Sequence, residues 1–140
     1  MPGKNKFRDT GCPIAFALDT FGDRWSLIII RDMLLKGYQT YGEFLRGAEA
    51  ISTNILAARL AELEASGIVS KTNDPENRRS MLYQLTEKGA ELAPVMLEII
   101  RWSSKHDANT IAKEAVVKRI EHDRDTFAAD LKQRALANRD

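Results

Sequence analysis

The hydrophobic residues in the middle of the chain recur at helical spacing. Leu56, Leu60 and Leu63 fall at positions i, i+4 and i+7, which places them on one face of an α-helix. Ser52 is a preferred N-cap residue, and Gly67 stands where a left-handed residue commonly closes a helix. The pattern therefore predicts a capped helix whose leucine face is buried in a core.

A shorter helix is predicted directly before this one. Thr40 and Glu43 have the spacing of a capping box, in which the threonine hydroxyl accepts from a backbone N–H and the glutamate reaches back to the cap. The helix therefore begins at Tyr41, and it is short because Gly47 follows closely and residues 47–51 lack apolar periodicity. Two helices joined by so tight a turn form a helix-turn-helix arrangement.

Two β-capable segments follow the second helix. Residues 68–72 and residues 81–85 favour strands, and the second segment alternates apolar with polar positions. Residues 73–80 between them form a turn-rich connection that contains the adjacent pair Arg78 and Arg79. The sequence thus predicts a β-hairpin with a basic tip.

Further helices are predicted on both sides of this segment. Pro13 suits the first position of a helix that ends near Gly22, and residues 24–36 form a second helix that is apolar on nearly all sides and hence buried. Thr86 caps another helix, which Pro94 should kink or interrupt. The apolar side of that helix consists of Leu92, Met96, Ile99, Ile100 and Trp102.

A helix-turn-helix followed by a basic hairpin is typical of proteins that insert the second helix into the major groove of DNA and use the hairpin as a wing. Asn54 is the best candidate base reader, because asparagine can bond adenine at N6 and N7. A thymine methyl group can rest on Ala57 or Ala58, and Arg59 is better positioned for a phosphate. The other candidate phosphate contacts are Ser52, Thr53, Arg78 and Arg79.

Charge adds little to this interpretation. The chain has a formal net charge of +1, and residues 46–88 contain six Lys or Arg against six Asp or Glu. Any positive surface must therefore be local. A dimer would offset the low charge, because two recognition helices and two wings would contact one duplex. The alternative interpretation is a winged-helix module that binds another protein and not DNA, since helix-turn-helix shapes also occur in such modules.

The carboxy-terminal part of the chain is predicted to be one long helix over residues 109–137, with an irregular apolar stripe among many charges. The sustained heptads of a coiled coil are absent. The predicted fold is mainly α with a small β-hairpin: a winged helix-turn-helix with added N- and C-terminal dimerisation helices. Residues 1–104 would form the DNA-binding domain and residues 105–140 a helical extension. We expect the extension to brace a dimer; covering an effector pocket or flanking the DNA are the alternatives.

Several stretches between residues 7 and 104 together resemble a known family. They are Cys12-Pro13-Ile14, FGDRWSLIIIRD at 21–32, ISTNILAARL at 51–60, LEASGIV at 63–69, YQLTEKG at 83–89 and LAPVM at 92–96. In this order they resemble the HxlR-type winged helix-turn-helix transcriptional regulators, with MarR-like regulators as the nearest other family. The resemblance implies a homodimeric DNA-binding regulator, usually a repressor, with its recognition helix at residues 52–66 and its wing at residues 73–80.

The recognition helix departs from the pattern that the resemblance implies. The family often has long polar side chains where this chain has Asn54 and Ala58. Direct base readout is therefore expected to be thin, and DNA shape would contribute to specificity. A dimer of this kind has its recognition helices about 34 to 36 Å apart, one turn of DNA, which predicts an inverted-repeat operator.

Cys12 is the only cysteine, so neither an intramolecular disulfide nor a thiolate metal site can form within one chain. It precedes the proline that starts a helix and lies near Lys4, Lys6 and Arg8 in the sequence, an environment that favours the thiolate. The resemblance implies that a cysteine here can sense oxidants or electrophiles. The alternative is a small, inert residue buried at a dimer interface.

Other function classes have little support in the sequence. We find no phosphate-binding glycine loop, nucleophile elbow or His-Glu-x-x-His array, so no enzyme activity and no cofactor are expected. His106 and His122 are isolated and do not have the spacing of metal ligands. No stretch approaches the ~20 apolar residues of a membrane span, and residues 1–10 lack the apolar centre of a secretion signal. We therefore expect a cytoplasmic protein whose partners are double-stranded DNA, a second copy of itself and a small-molecule effector.

Overall fold

The computed structural model describes residues 8–137. A 3₁₀ turn at Arg8–Thr10 precedes the main elements. These are α1 (Pro13–Phe21), α2 (Ser26–Leu35), α3 (Tyr41–Leu45), α4 (Thr53–Ala65), β1 (Val69–Asp74), β2 (Asn77–Leu85), α5 (Glu87–Ala90), α6 (Ala93–His106) and α7 (Glu114–Ala137). The prediction of a mainly α-helical chain with one β-hairpin is confirmed.

Both ends of α4 are closed by the local devices that the sequence predicts. The Ser52 hydroxyl accepts from the Ile55 backbone N–H at 3.2 Å. At the other end Gly67 has φ +78°, and the Ile68 N–H donates to the Leu63 carbonyl at 2.9 Å. This pair of features is a Schellman closure, which turns the chain directly into β1.

The core is built around α2 and the leucine face of α4. Ile29 and Ile30 on α2 are fully buried, as are Leu56, Leu60 and Leu63 on α4, and the two helices are in contact. The prediction that α2 is a central, buried helix is therefore confirmed. The buried face of α4 also determines which of its residues point outward.

The hairpin is longer than predicted. β1 and β2 pair antiparallel from Val69↔Leu85 onward, and the pairing continues past an irregularity between Asn73 and Asp74. The prediction that residues 73–80 form a turn-rich connection is wrong for most of them, because only Pro75 and Glu76 form the turn. Since both faces of the hairpin tip are exposed, its strands lack the apolar alternation that signals a strand in sequence.

The carboxy-terminal helix is shorter than predicted and bent. Residues 109–113, predicted as helix, are not helical. Side chains of Asp107 and Thr110 accept from backbone N–H groups two residues ahead, which competes with helix formation. The helix begins at Glu114 and changes direction at Asp123, whose φ of −148° and ψ of 40° are non-helical. It is thus two helical segments joined at one residue.

The bend lets α7 fold over the back of the molecule. Ile120, Ala128 and Leu131 are buried in the same core as α2 and α4. Lys132 also pairs with Glu87 at 3.2 Å and with Glu91 at 3.5 Å, which joins α7 to the region of α5. Because these ion pairs are exposed, the apolar contacts provide most of the attachment.

The break between α5 and α6 lies just ahead of Pro94, which occupies the first turn of α6. α5 itself packs closely against the end of α4. The Thr86 hydroxyl donates to the Gly67 carbonyl, and its backbone N–H donates to the Ile68 carbonyl at 3.0 Å. A Cβ added at Gly89 would lie 2.2 Å from the Ile68 carbonyl oxygen and 2.9 Å from Leu85 Cδ2. Glycine is therefore required at position 89 by close backbone approach.

We expect Gly89→Ala to lower the free energy of unfolding by about 2 kcal/mol, because the added methyl group overlaps backbone that cannot move without disturbing the end of α4. Chemical denaturation followed by circular dichroism measures this. Gly42→Ala is the matched control, since its Cβ would meet nothing closer than 3.7 Å and alanine favours the helix. Equal stability of the two variants would contradict the close-approach argument.

Candidate nucleic-acid interface

The first helix of the helix-turn-helix begins with the predicted capping box. The Glu43 N–H donates to the Thr40 hydroxyl at 3.2 Å, and the Glu43 carboxylate accepts from the Thr40 N–H at 3.1 Å. The same carboxylate accepts from the Gln39 N–H at 2.7 Å. These bonds satisfy backbone donors that would otherwise lack partners at the helix start, and they confirm that α3 begins at Tyr41.

The turn between α3 and α4 is held by an ion pair that the sequence did not reveal. Arg31 on α2 donates to both carboxylate oxygens of Glu49, each at 2.9 Å, and also to the buried Asp32. Hydrogen bonds from Arg31 hold the pKa of Glu49 at about 2. Next to Glu49, Ala50 has φ 59°, a left-handed conformation that non-glycine residues adopt infrequently. Arg31 therefore ties the turn to the central helix.

The predicted reading residues lie together on the amino-terminal half of α4. Ser52, Thr53, Asn54, Ala57 and Ala58 are all exposed. The Ser52 hydroxyl caps α4 by accepting one hydrogen bond. Its second lone pair and the adjacent backbone can still bind an outside partner.

Arg59 lies apart from that exposed group. It is half-buried, and one of its terminal nitrogens is 3.6 Å from an Asp23 carboxylate oxygen. Asp23 also accepts from the backbone N–H groups of Trp25 and Ser26, each at 2.9 Å, at the start of α2. Burial alone would raise the pKa of Asp23, but the hydrogen bonds from Ser26 and Trp25 and the charge of Arg59 together lower it. A phosphate contact by Arg59 would have to compete with this carboxylate.

Two arginines of the wing have no internal partner for their charges. Arg78 and Arg79 are exposed on β2, and neither forms an ion pair with another residue of the 8–137 segment. By contrast, Lys71 on β1 lies 3.8 Å from Glu64 on α4. The two arginines are therefore the charges of the wing that are available to an outside anion.

The base of the wing is attached to the start of α3. The Tyr83 N–H donates to the Gln39 carbonyl at 2.8 Å, and the rings of Tyr41 and Tyr83 lie with their centroids 5.8 Å apart. Burial, with a smaller contribution from Tyr41, raises the pKa of Tyr83 to about 12, so the phenol stays neutral at physiological pH. Lys88 adds a bond of 2.6 Å to the Ser66 carbonyl at the end of α4. The wing and the recognition helix thus share one rigid base.

Cys12 is exposed and sits immediately before α1. Its backbone N–H donates to the Thr10 hydroxyl at 3.2 Å. Of the cations predicted near it, Lys4 and Lys6 lie outside the described residues.

Two features are absent from residues 8–137. Within this range, no group of three His, Cys, Asp or Glu side chains converges in the way that metal ligands do. None of the helices in the same range combines the length and apolar character that crossing a bilayer requires.

A family profile described as HxlR-like helix-turn-helix matches residues 20–110. The chain belongs to this family. Among its relatives, the HTH-type transcriptional regulator YodB of Bacillus subtilis is 34% identical over 109 residues, which cover 76% of this chain and 96% of YodB. YybR of Bacillus subtilis, also named an HTH-type transcriptional regulator, is 34% identical over 96 residues, or 69% of this chain and 76% of YybR.

Solved structures of similar regulators share the fold. The transcription factor PA1607 superposes with a TM-score of 0.68 at 32% identity, covering 76% of this chain and 73% of PA1607. The redox regulator HypR in its oxidised form gives a TM-score of 0.60 at 33% identity, covering 68% of this chain and 97% of HypR. The reduced form of YodB gives a TM-score of 0.57 at 33% identity, covering 71% of this chain and 97% of YodB.

These matches confirm the predicted family and its winged helix-turn-helix fold. The protein is an HxlR-like transcriptional regulator, and the family consists of regulators rather than enzymes. The matched range includes every motif from Phe21 onward, whereas Cys12-Pro13-Ile14 precedes it and α7 follows it. The two ends of this HxlR-like regulator must therefore be interpreted from its own residues.

The Arg31–Glu49 pair predicts how the stability of this regulator depends on pH. The pKa of Glu49 is about 2 in the folded chain against an ordinary value of 4.5. The ion pair therefore stabilises the fold above pH 4.5, and its contribution is lost as the pH falls from 4.5 to about 2. Glu49→Gln should lower the stability near neutral pH by at most about 1 kcal/mol, since the pair is partly exposed, and should match the wild type in acid.

Thermal unfolding between pH 7 and pH 2 tests this expectation. Glu76→Gln is the control, because the exposed Glu76 side chain forms no ion pair with the described residues. A difference between Glu49→Gln and wild type that stays constant with pH would refute the assigned role of the ion pair.

Proposed function

We propose that this regulator is a repressor that binds an inverted-repeat operator as a homodimer, with α4 in the major groove and the hairpin against the adjacent phosphates. The observation that carries the proposal is the pair Arg78 and Arg79. They remain unpaired within the described residues, and the predicted readers at the amino terminus of α4 are exposed as well. Guanidinium groups are suited to the phosphates of a DNA backbone, which they can bind through two parallel hydrogen bonds.

Within this proposal, α4 contributes both orientation and sequence readout. Asn54 reads adenine, and Ala57 and Ala58 allow close approach to base edges. Ser52 and Thr53 hold a phosphate at the helix amino terminus, where backbone N–H groups and the helix dipole attract anions. Arg59 contributes a phosphate contact only where it can leave Asp23.

The dimer is proposed from two apolar surfaces that the chain leaves uncovered. Helix α1 has no buried residue, and its Ile14 and Phe16 side chains are 67% and 49% exposed. On α6, Ile99 and Trp102 are 40% and 64% exposed and line an open, almost wholly apolar hollow. Monomeric proteins seldom leave such surfaces in water, and a second copy with the same two helices would cover both.

The carboxy-terminal extension has a supporting role in this scheme. We retain the division into a DNA-binding domain at residues 1–104 and an extension at residues 105–140. Helix α7 packs along α6, and Arg124 of α7 forms an ion pair of 2.7 Å with Glu98 of α6. The extension therefore holds α6 in place, in part through Glu98, the neighbour of the exposed Ile99.

A redox or electrophile response is proposed for Cys12. The residue is exposed at the start of α1, one of the two proposed dimer helices. HypR, which is similar to this chain, is a redox regulator with a solved structure in its oxidised form. YodB, which is also similar, has solved structures in a reduced form and after diamide treatment. In a dimer, two Cys12 thiols would join as one disulfide while the oxidant takes up their two hydrogens, or each thiolate would add to an electrophilic effector.

Removal of both wing charges should weaken operator binding without regard to sequence. For Arg78→Ala combined with Arg79→Ala, we expect the slope of log K against log salt to decrease by about 0.9 for each phosphate that the wing no longer neutralises. Asn54→Ala should instead relax preference mainly at one base pair per half-site, by about 1–3 kcal/mol. Fluorescence polarisation on the promoter region nearest its own gene measures both quantities.

The matched control for the wing is Lys113→Ala combined with Arg134→Ala, which removes two exposed positive charges outside the winged helix. Equal losses in both double variants would indicate a general charge effect and contradict the wing assignment. Wild-type protein that binds no promoter DNA but captures another protein would favour the interaction module.

A charge in the hollow of α6 should separate the proposed dimer. We expect Ile99→Glu to shift the protein to monomer in light scattering, because burying an unpaired carboxylate costs more than the apolar contact contributes. Ile111→Glu is the control, since Ile111 is 97% exposed and lies outside both helices. Dimers of undiminished stability in Ile99→Glu, with normal circular dichroism, would argue against this interface.

Oxidation should act through Cys12 alone. Diamide should convert wild-type dimer to a disulfide-linked dimer on non-reducing gels and change its operator affinity, and dithiothreitol should reverse both effects. Cys12→Ser has no thiol and should respond to neither reagent. An unchanged wild-type affinity after complete oxidation would show that Cys12 does not regulate binding.

A further inference from the structure

One large hydrophobic side chain of the recognition helix lies at the surface. Ile55 is 39% exposed, and it belongs neither to the buried core nor to the partly buried residues that pack on it. The other exposed large hydrophobics of residues 8–137 lie on α1, on α6 or at Ile111. Ile55 is therefore the exposed large hydrophobic of the helix-turn-helix within that range.

Helix propensity does not explain isoleucine at this position. A β-branched side chain loses rotamer freedom in a helix, and alanine is the best helix former. The neighbouring outward positions of α4 carry alanine, at Ala57, Ala58 and Ala61. A residue chosen only to build this helix would therefore be alanine, so the isoleucine side chain is better explained by an external contact.

The backbone of Ile55 is held in a defined place. Its N–H donates to the Ser52 hydroxyl at 3.2 Å in the first turn of α4. Recognition helices contact base edges chiefly with residues near their amino termini. Further along the same side of α4, Arg59 is engaged with Asp23 at 3.6 Å and Glu62 is exposed. The apolar surface that Ile55 offers is therefore confined to the first turn of the helix.

The chemistry of the major groove provides one apolar partner. Thymine exposes its C5-methyl group there, whereas the remaining edges of the four base pairs present hydrogen-bond donors and acceptors. An isoleucine side chain extends beyond the single Cβ of Ala57 or Ala58 and can reach such a methyl group. No polar atom of isoleucine competes for the neighbouring acceptors.

We propose that Ile55 is a specificity-determining residue that packs against a thymine methyl group in each half-site of the operator. This inference rests on the proposed function, in which α4 enters the major groove. It assigns the apolar part of base readout to Ile55, and it leaves the polar part with Asn54.

Deoxyuridine substitution tests this one contact, because it removes only the C5-methyl group of thymine. Each thymine of the footprinted operator is replaced in both half-sites, and affinity is measured by fluorescence polarisation. At one position per half-site, wild-type protein should lose about fourfold in affinity for each methyl group, the factor that corresponds to about 0.8 kcal/mol. Ile55→Ala should bind the thymine operator about fourfold more weakly for each methyl group contacted. Replacing thymine with deoxyuridine should not change the affinity of this variant.

Two further variants separate the explanations. Ile55→Val keeps part of the branched side chain and should retain a reduced sensitivity to deoxyuridine. Ala57→Gly and Ala58→Gly each remove another apolar candidate. Each should lower the affinity for all sequences through weaker helix formation and should keep the wild-type ratio between the thymine and deoxyuridine operators. Circular dichroism confirms that each variant is folded.

The outcomes distinguish this inference from the function on which it rests. If Ile55→Ala is as sensitive to deoxyuridine as wild type, or if no position is sensitive, the inference is wrong while operator binding stands. If wild-type protein binds no duplex at all, the proposed function and the inference both fail.

Discussion

Burial of the leucine face of α4 against α2 is the constraint on which the rest of this molecule depends. Leu56, Leu60 and Leu63 are fully enclosed, which fixes the rotation of the helix about its own axis. Asn54 and Ala58 lie on the side of the helix away from these leucines, so burying the leucines leaves both residues facing outward. The choice of which side of α4 is exposed is therefore a consequence of the hydrophobic effect, and no separate interaction is needed to orient it.

Some cationic side chains of this regulator form ion pairs within the fold, and others remain available to an outside anion. Arg31 is committed to the turn through Glu49, Arg59 to the start of α2 through Asp23, and Lys71 to α4 through Glu64. A net charge of +1 consequently says little about DNA affinity. The relevant quantity is the number of cations without a partner, and at the winged helix these include the two arginines of the wing.

The apolar surfaces of the chain divide in a similar way. Helix α7 covers the back of the domain with Ile120 and Leu131, and it fixes α6 through contacts on one side. Ile99 and Trp102 of α6 stay exposed, as do Ile14, Phe16 and Leu18 of α1. In the proposed dimer these open surfaces meet, so that the orientation of α6, and with it the separation of the two recognition helices, depends on the extension that braces it.

Features that arise from interactions over a few residues could be predicted from the amino-acid chain alone. The capping box at Thr40, the Ser52 cap and the Gly67 closure each join groups no more than five positions apart, so their spacing is visible in the chain. The leucine stripe and the family motifs likewise indicated the fold and the exposed side of α4. Local chemistry of this kind is nearly independent of what surrounds it.

Packing of the folded chain sets which charged and aromatic groups meet across the fold. Arg31 and Glu49 are 18 positions apart, and the Tyr83 N–H reaches the Gln39 carbonyl from a different element. The bend at Asp123 and the length of the hairpin also depend on packing and strand pairing rather than on any periodic pattern. Such contacts leave no spacing signal, because chain folding alone brings their partners together.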